Sequence, residues 1–178
     1  IKKNTDNECK TKAEYEKHVR EQLEKDKKNS VGSELLSKVS GDSKLKKTPK
    51  LQLKAAKKDV EQNYEQMASQ YGMDVDSLIK AYGMDEKSYQ AMVKNGAKES
   101  VKLHLVAHAI AKEEGIRLSS SDYDQRLKEF KESTGLSEKQ FKKQAGSSYE
   151  DYAKENNFEE YFFQEKVGQF LVDKATAK

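Results

Sequence analysis

Residues 72–93 read GMDVDSLIKAYGMDEKSYQAMV, and within them one local pattern occurs twice. Gly72-Met73-Asp74 is followed by Leu78, and Gly83-Met84-Asp85 by Tyr89. A third copy lies further on, where Gly135-Leu136-Ser137 is followed by Phe141. Each copy is a glycine stop, an apolar residue, an N-cap oxygen and an apolar residue four positions after the cap. That order is the hydrophobic staple: the two apolar side chains clasp across the cap and set the angle of chain entry into the next helix. The repeated pattern predicts helix–turn–helix corners with short connections, and so an all-α chain.

The flanking sequence agrees. There is one proline, Pro49, so little stops long helices from forming. No alternating apolar pattern runs longer than a few residues, and no sheet is predicted. Thr11-Lys-Ala-Glu14 is a capping box opening a first helix. Its apolar residues Tyr15, Val19, Leu23, Val31, Leu35 and Val39 all lie multiples of four apart. Each step of four turns the stripe by about 40°, so it rotates by roughly 240° from Tyr15 to Val39. Its two ends face different neighbours, as in a connector between two bodies. Gly32 is a weak point inside this helix. Gly41 and Asp42 close it. Thr48 and Pro49 are expected as N-cap and first residue of the next, which presents Leu53, Ala56, Val60, Tyr64 and Met67 as far as Tyr71. A long helix from Glu86 to Glu114 turns Tyr89, Met92, Val93, Val101, Val106 and Ile110 inward. An extended link at 116–118 precedes a helix capped by Ser119 to Ser121. Ser147 or Ser148 caps another, and the last helix covers 158–174, with fraying expected beyond it.

Hydrophobic residues make up 34% of the 178 and charged residues 37%, against about 25% charged in an average domain. Full disorder competes with a thin helical body at that composition, but the apolar spacing favours the helices. The net charge of +3 carries no global nucleic-acid signal. One cysteine, Cys9, excludes an intrachain disulfide framework and a cysteine-based zinc site. No apolar run has transmembrane length. The first residue is Ile1 rather than Met, so a fragment or processed product is expected.

Catalytic patterns are missing. His104 and His108 have the four-residue spacing of paired metal ligands, but Leu105 stands where a zinc protease needs glutamate, so they are assigned to structure or surface. No Gly-x-Ser-x-Gly elbow and no phosphate-cradling loop occurs. Seven lysines and no acid lie between Asp42 and Asp59: Lys44, Lys46, Lys47, Lys50, Lys54, Lys57 and Lys58. They fit a contact for an acidic partner, RNA included, or a solvated basic face. No aromatic residue among them supports base stacking.

Met67, Met73, Met84 and Met92 fall in one third of the chain beside Tyr64, Tyr71, Tyr82 and Tyr89. Methionine is flexible and polarizable and suits surfaces that accept many shapes. Tyr161-Phe162-Phe163 covers more than one face of the last helix, as a doubly buried helix or an adhesive patch would. The residues expected to meet a client are Met67, Tyr71, Met73, Tyr82, Met84, Met92, Phe162 and Phe163.

From 100 to 122 the chain reads SVKLHLVAHAIAKEEGIRLSSSD. This resembles the C-terminal domain of trigger factor, a bacterial chaperone of nascent chains. The family pattern is Leu-x-x-x-Ala-Ile-Ala, then Glu, an Ile-x-Val/Leu link and a Ser/Thr cap. It is met by Leu105, Ala109, Ile110, Ala111, Glu113, Ile116, Leu118 and Ser119. The Gly-Met-Asp turns and the glutamate-rich last helix are similar too. The resemblance implies an elongated helical body with projecting arms that form a cradle, an architecture also met in SurA-type chaperones. On that reading residues 1–47 are a connector helix leading from an isomerase domain, 48–114 a first arm, 115–155 a second arm and 156–178 a C-terminal packing helix. The family's Gly-Phe-Arg ribosome-docking signature and its β-rich isomerase stretch are not in this sequence, so neither activity is assigned to this chain.

The expected function is an ATP-independent holdase for unfolded or nascent polypeptides, without cofactor, metal or catalysis. Ribosome contact is expected only through parts upstream, no membrane partner is expected, and a weak homodimer is a further partner class. The expected compartment is the cytoplasm, or outside the cytoplasm as a lipoprotein if an upstream signal exists. The competing reading is a helical adaptor, or self-associating module, with one folded partner.

Overall fold

The computed structural model describes residues 9–176. Among them are eight helices and no strand: α1 (Lys12–Asp42), α2 (Lys50–Gln70), α3 (Val75–Ala81), α4 (Glu86–Glu114), α5 (Ser120–Thr134), α6 (Glu138–Ala145), α7 (Tyr149–Glu155) and α8 (Phe158–Thr176). The all-α class is therefore found. Helix α8 runs past Lys174, and residues 177–178, where the tail was expected to fray, lie outside the described residues.

Side-chain caps start most of these helices, because the first backbone N–H groups of a helix have no partner within it. Thr11 Oγ1 accepts from Glu14 N at 3.2 Å, and Glu14 Oε2 accepts from Thr11 N at 3.1 Å. Asp74 accepts from Ser77 N and Asp85 from Ser88 N, both at 2.7 Å. Ser119 and Ser137 form complete capping boxes with Asp122 and Gln140. Ser148, rather than Ser147, caps α7. Helix α2 departs from expectation: Pro49 holds the cap position in extended conformation and no side-chain bond is made there. Thr48 is thus one residue too early to cap it. Glycine supplies the left-handed φ that turns the chain out of α2 and α3, +66° at Gly72 and +69° at Gly83.

The chain divides into two compact units, at points inside α1 and α4. A hairpin unit comprises Val39–Ala109, and a split unit takes the described residues up to Lys38 and from Ile110 onward. The expected divisions at 47/48 and 114/115 lie further along the chain. The segments expected as second arm and C-terminal helix fall in one unit with most of α1.

In the hairpin unit α2 and α4 run antiparallel. Leu53 and Ala56 pack with Ala97, Val101 and Leu105. At the other end Val60 and Tyr64 pack with Tyr89 and Val93. The α4 face is a ladder of residues four apart (Tyr89, Val93, Ala97, Val101), all buried. Helix α3 closes the end of the hairpin, with Val75 and Ile79 joining the Tyr89–Val93 cluster. Tyr64 and Tyr89 meet edge to face at 5.3 Å. Fully burying a side chain such as Val93 contributes about 1.5–3 kcal/mol, so this short ladder supplies much of the unit's cohesion.

The split unit has an aromatic core. Phe130 meets Phe158 edge to face at 4.8 Å and also contacts Phe141, Tyr149 and Tyr152. The Tyr149 hydroxyl donates to the Leu136 carbonyl at 3.1 Å and pairs with the Thr134 hydroxyl. Helix α1 joins this core by a route its apolar stripe did not predict. Leu23 is 63% exposed, and Tyr15 and Val39 are also exposed. The buried positions are Gly32, Leu36 and Ser40. Gly32 lies against Gly168 of α8, where a Cβ on Gly32 would sit 2.7 Å from the Gly168 carbonyl carbon. The expected weak point is therefore a backbone-to-backbone helix crossing. Beside it, Gln169 donates to Asn29 at 2.7 Å and Lys28 pairs with Asp173 at 2.7 Å.

Candidate functional site

The hairpin end is built by the repeat that the sequence displays. Helix α2 stops at Gln70 and α3 at Ala81, and the residue that follows each is a tyrosine in the C-cap position, Tyr71 and Tyr82. After each comes glycine, then methionine, then the aspartate that caps the next helix. Met73 N donates to the Ala68 carbonyl at 3.0 Å, and Met84 N to the Ile79 carbonyl at 2.9 Å. These bonds lock both turns into the same form, which holds equivalent side chains at equivalent places.

Burial then separates the two copies. Tyr71 is 64% exposed, Tyr82 55% and Met73 37%. Met84 is half-buried against the Ile79–Tyr89–Val93 cluster, as is Met92, whose sulfur accepts a hydrogen bond from the Tyr64 hydroxyl at 3.3 Å. Met67 is half-buried on α2. The structure thus brings five of the expected residues to one end of one unit, with Met92 a turn and a half inside α4. The capping carboxylates are tuned by the same turns. The backbone and hydroxyl of Ser77 hold Asp74 below its ordinary value, and the hydroxyl and backbone of Ser88 do so for Asp85.

The other two expected residues lie elsewhere. Phe162 is 4% exposed. It packs with Leu127 and Ala153, meets Tyr123 at 5.7 Å and Phe158 at 5.3 Å, and has the Arg126 guanidinium 5.4 Å from its ring centre. It is a core residue of the split unit, with only an edge reaching the groove described below. Phe163 is half-buried. The exposed member of that aromatic run is Tyr161, which lines a groove of about 480 Å³ with Phe130 and Phe158 on its apolar side and Lys25, Arg126 and Glu129 on its polar side. Sequence reasoning missed this groove. Its walls come from α1, α5 and α8, and no local pattern joins them.

The polar side of the groove is an ordered chain of charges. Lys25 pairs with Glu129 at 2.6 Å, Glu129 with Arg126, and Arg126 with the buried Glu165. Burial alone raises the Glu129 carboxyl, but hydrogen bonds from Lys25, Gln125 and Arg126 outweigh it and leave the group below its usual range. Lys166 pairs with Asp122 at 2.6 Å at the start of α5. This arrangement fixes helices rather than preparing a proton transfer, because each carboxylate named is neutralised by its own cation. His104 and His108 stand one turn apart on α4 with ring centres 4.3 Å apart, the first half-buried and the second exposed.

Comparison with known proteins places the sequence in a family. The family described as bacterial trigger factor protein C-terminus matches residues 10–173. A trigger factor of Staphylococcus saprophyticus is 27% identical over 147 residues, covering 80% of this chain and 34% of the relative. One of Bacillus subtilis is 27% identical over 150 residues, covering 82% and 35%. One of Halothermothrix orenii is 35% identical over 68 residues, covering 38% and 16%. The chain therefore spans about a third of the length of the first two relatives. No solved structure matches it. No helix is long and apolar enough to cross a membrane among the described residues. With nearly its whole length matched, this chain belongs to the bacterial trigger factor C-terminus family.

Proposed function

We propose that this chain is an ATP-independent holdase-type chaperone module that binds unfolded or nascent polypeptides in the cytoplasm. The observation that carries the reading is the exposure of Tyr71, Met73 and Tyr82 on two consecutive, identically built turns at one end of the hairpin unit. Large apolar groups in such number at a helix corner are available to a passing chain. Each contributes about 1 kcal/mol or less on partial burial. A client touching one spot leaves quickly, and one touching several stays longer, because the second contact is intramolecular. Short, charged separations between the spots keep the sequence requirement loose. Met67, Met84 and Met92 are half-buried and serve as the adaptable floor and flanks, since methionine repacks at low cost.

The test is suppression of aggregation of a chemically denatured client by the whole chain in several-fold excess. Wild type is expected to suppress light scattering. A Tyr71→Ser, Met73→Ser, Tyr82→Ser variant should lose most of that effect while keeping its helicity. No suppression by wild type, or undiminished suppression by the variant, overturns the reading. A complex of fixed stoichiometry with a single folded protein would favour the adaptor instead.

A further inference from the structure

The seven lysines between Asp42 and Asp59 form one basic run with no acid among them, whereas several lysines elsewhere are held in ion pairs. Lys12, Lys17, Lys25, Lys28, Lys128, Lys131 and Lys166 each pair with a carboxylate. None of the seven does so among the described residues, and all are exposed except the half-buried Lys57. Taking these seven from the 34 basic residues leaves 27, against 31 acidic ones. The whole chain's positive balance thus sits in this stretch.

Their placement is ordered. Lys50, Lys54, Lys57 and Lys58 occupy positions i, i+4, i+7 and i+8 of α2, which fall within about 100° of one another around the axis. The adjoining flank, Leu53, Ala56 and Val60, is used against α4. The array spans about 12 Å of helix, and Lys44, Lys46 and Lys47 continue it before the helix begins. Local energetics do not favour this choice. The first turn of α2 has no acidic residue, and the positive end of the helix dipole repels the lysine placed there. A residue set that works against its own helix is expected where it meets a partner.

We propose that this flank is a docking surface for the phosphate backbone of a nucleic-acid duplex, bound without reading of base sequence. A duplex carries one charge per about 1.7 Å of axis, so a row of lysines of this length meets several phosphates at once. No aromatic residue lies in the stretch, so base stacking, which favours single strands, has no platform. An acidic protein partner fits less well, because the arginine and aromatic anchors of protein interfaces are missing here. A membrane surface fits less well too, since the apolar face of α2 is already buried. The surface lies along α2 from the Tyr71 turn, about 25 Å away at Lys54, and the inference does not depend on the chaperone reading.

The experiment measures binding of the whole chain to a mixed-sequence duplex of about 20 base pairs, as RNA and as DNA, across about 50–200 mM salt. The expected result is binding to both duplexes with an affinity that falls by about 1,000-fold or more over that range, and weaker binding of a single strand. A Lys50→Gln, Lys54→Gln, Lys57→Gln, Lys58→Gln variant keeps helix propensity and should reduce the salt slope by about 3 to 4. A variant with Lys12, Lys17, Lys128 and Lys142 changed to Gln has the same net charge and should bind as wild type does. Equal binding by the first variant overturns the proposal, as does equal loss in the second. Tighter binding to poly-glutamate or to vesicles of anionic lipid than to either duplex overturns it as well.

Discussion

Gly32 and Gly168 face each other at a crossing so close that neither position accepts a Cβ without displacing the other's backbone. A methyl group on Gly168 would sit 2.8 Å from the Gly32 carbonyl carbon and 2.9 Å from its oxygen. Backbone on both sides leaves no flexible end to yield.

Gly32→Ala therefore sets two effects against each other. Alanine improves helix propensity by about 1 kcal/mol. Overpacking costs about 1–3 kcal/mol, and more where backbone must move. The crossing should win, with a net loss of about 1–2 kcal/mol and a fall in Tm of several degrees on thermal unfolding. Gly96→Ala supplies the control of opposite sign: its Cβ would lie an ordinary 3.7 Å from a Val60 methyl, so a gain of about 0.5–1 kcal/mol is expected.

Glu165→Ala should destabilise the split unit by about 1–3 kcal/mol, below the usual figure for a broken buried pair. The discount reflects Arg126, which keeps Glu129 and some contact with solvent. Replacing both partners, as Arg126→Met with Glu165→Leu, should cost less than Glu165→Ala alone, because no stranded charge remains. Denaturant unfolding of the three proteins gives the ordering, and a double variant weaker than the single one would contradict it.

Acid should loosen the split unit early. Lys166 and then Ser119 hold Asp122 well below its ordinary value, Lys131 lowers Glu150, and the bonds already described lower Glu129. A carboxylate whose folded pKa is depressed adds stability above its unfolded pKa and loses it as pH falls through the folded one. Tm should hold near neutrality and decline from about pH 5 downward. A Tm that rises on acidification in that window would show the opposite sign.

Lys50→Glu should stabilise α2 by about 0.3–1 kcal/mol, since it places an acid at the positive end of the helix dipole. The same change should weaken duplex binding. Chemical unfolding and anisotropy on one sample would reveal whether stability and binding move in opposite directions.

Much of the fold was legible in sequence because its punctuation is local. Asp74, Asp85, Ser119 and Ser137 cap the helices they were expected to cap, and Tyr89, Val93, Val101 and Val106 of α4 are buried as their spacing requires, with Met92 and Ile110 half-buried. What sequence hid was packing by absence. Periodicity weighs side chains, so it favoured Leu23 and Val39 on α1 and passed over Gly32, whose contribution is that it has none. Phe162 shows the same limit from the other side. Its neighbour Tyr161 has the same apolar bulk, and only the placement of α5 and α7 decides which of the two is sealed in. At the hairpin end the repeat was legible, yet the unequal exposure of Met73 and Met84 depends on which turn lies beside the Tyr89–Val93 cluster.

The bond between Asn29 and Gln169 spans 140 positions of sequence. A ribosome builds such a chain from its N-terminal end, and the hairpin segment is complete long before Gln169 exists. Its antiparallel pair can zip while translation continues, since loops of that size close fast. Helix α1 must wait with its glycine notch empty until the final helix arrives. Synthesis is thus built into the architecture as a clock: an early-maturing insert, and a host closed by ties that span nearly the whole chain.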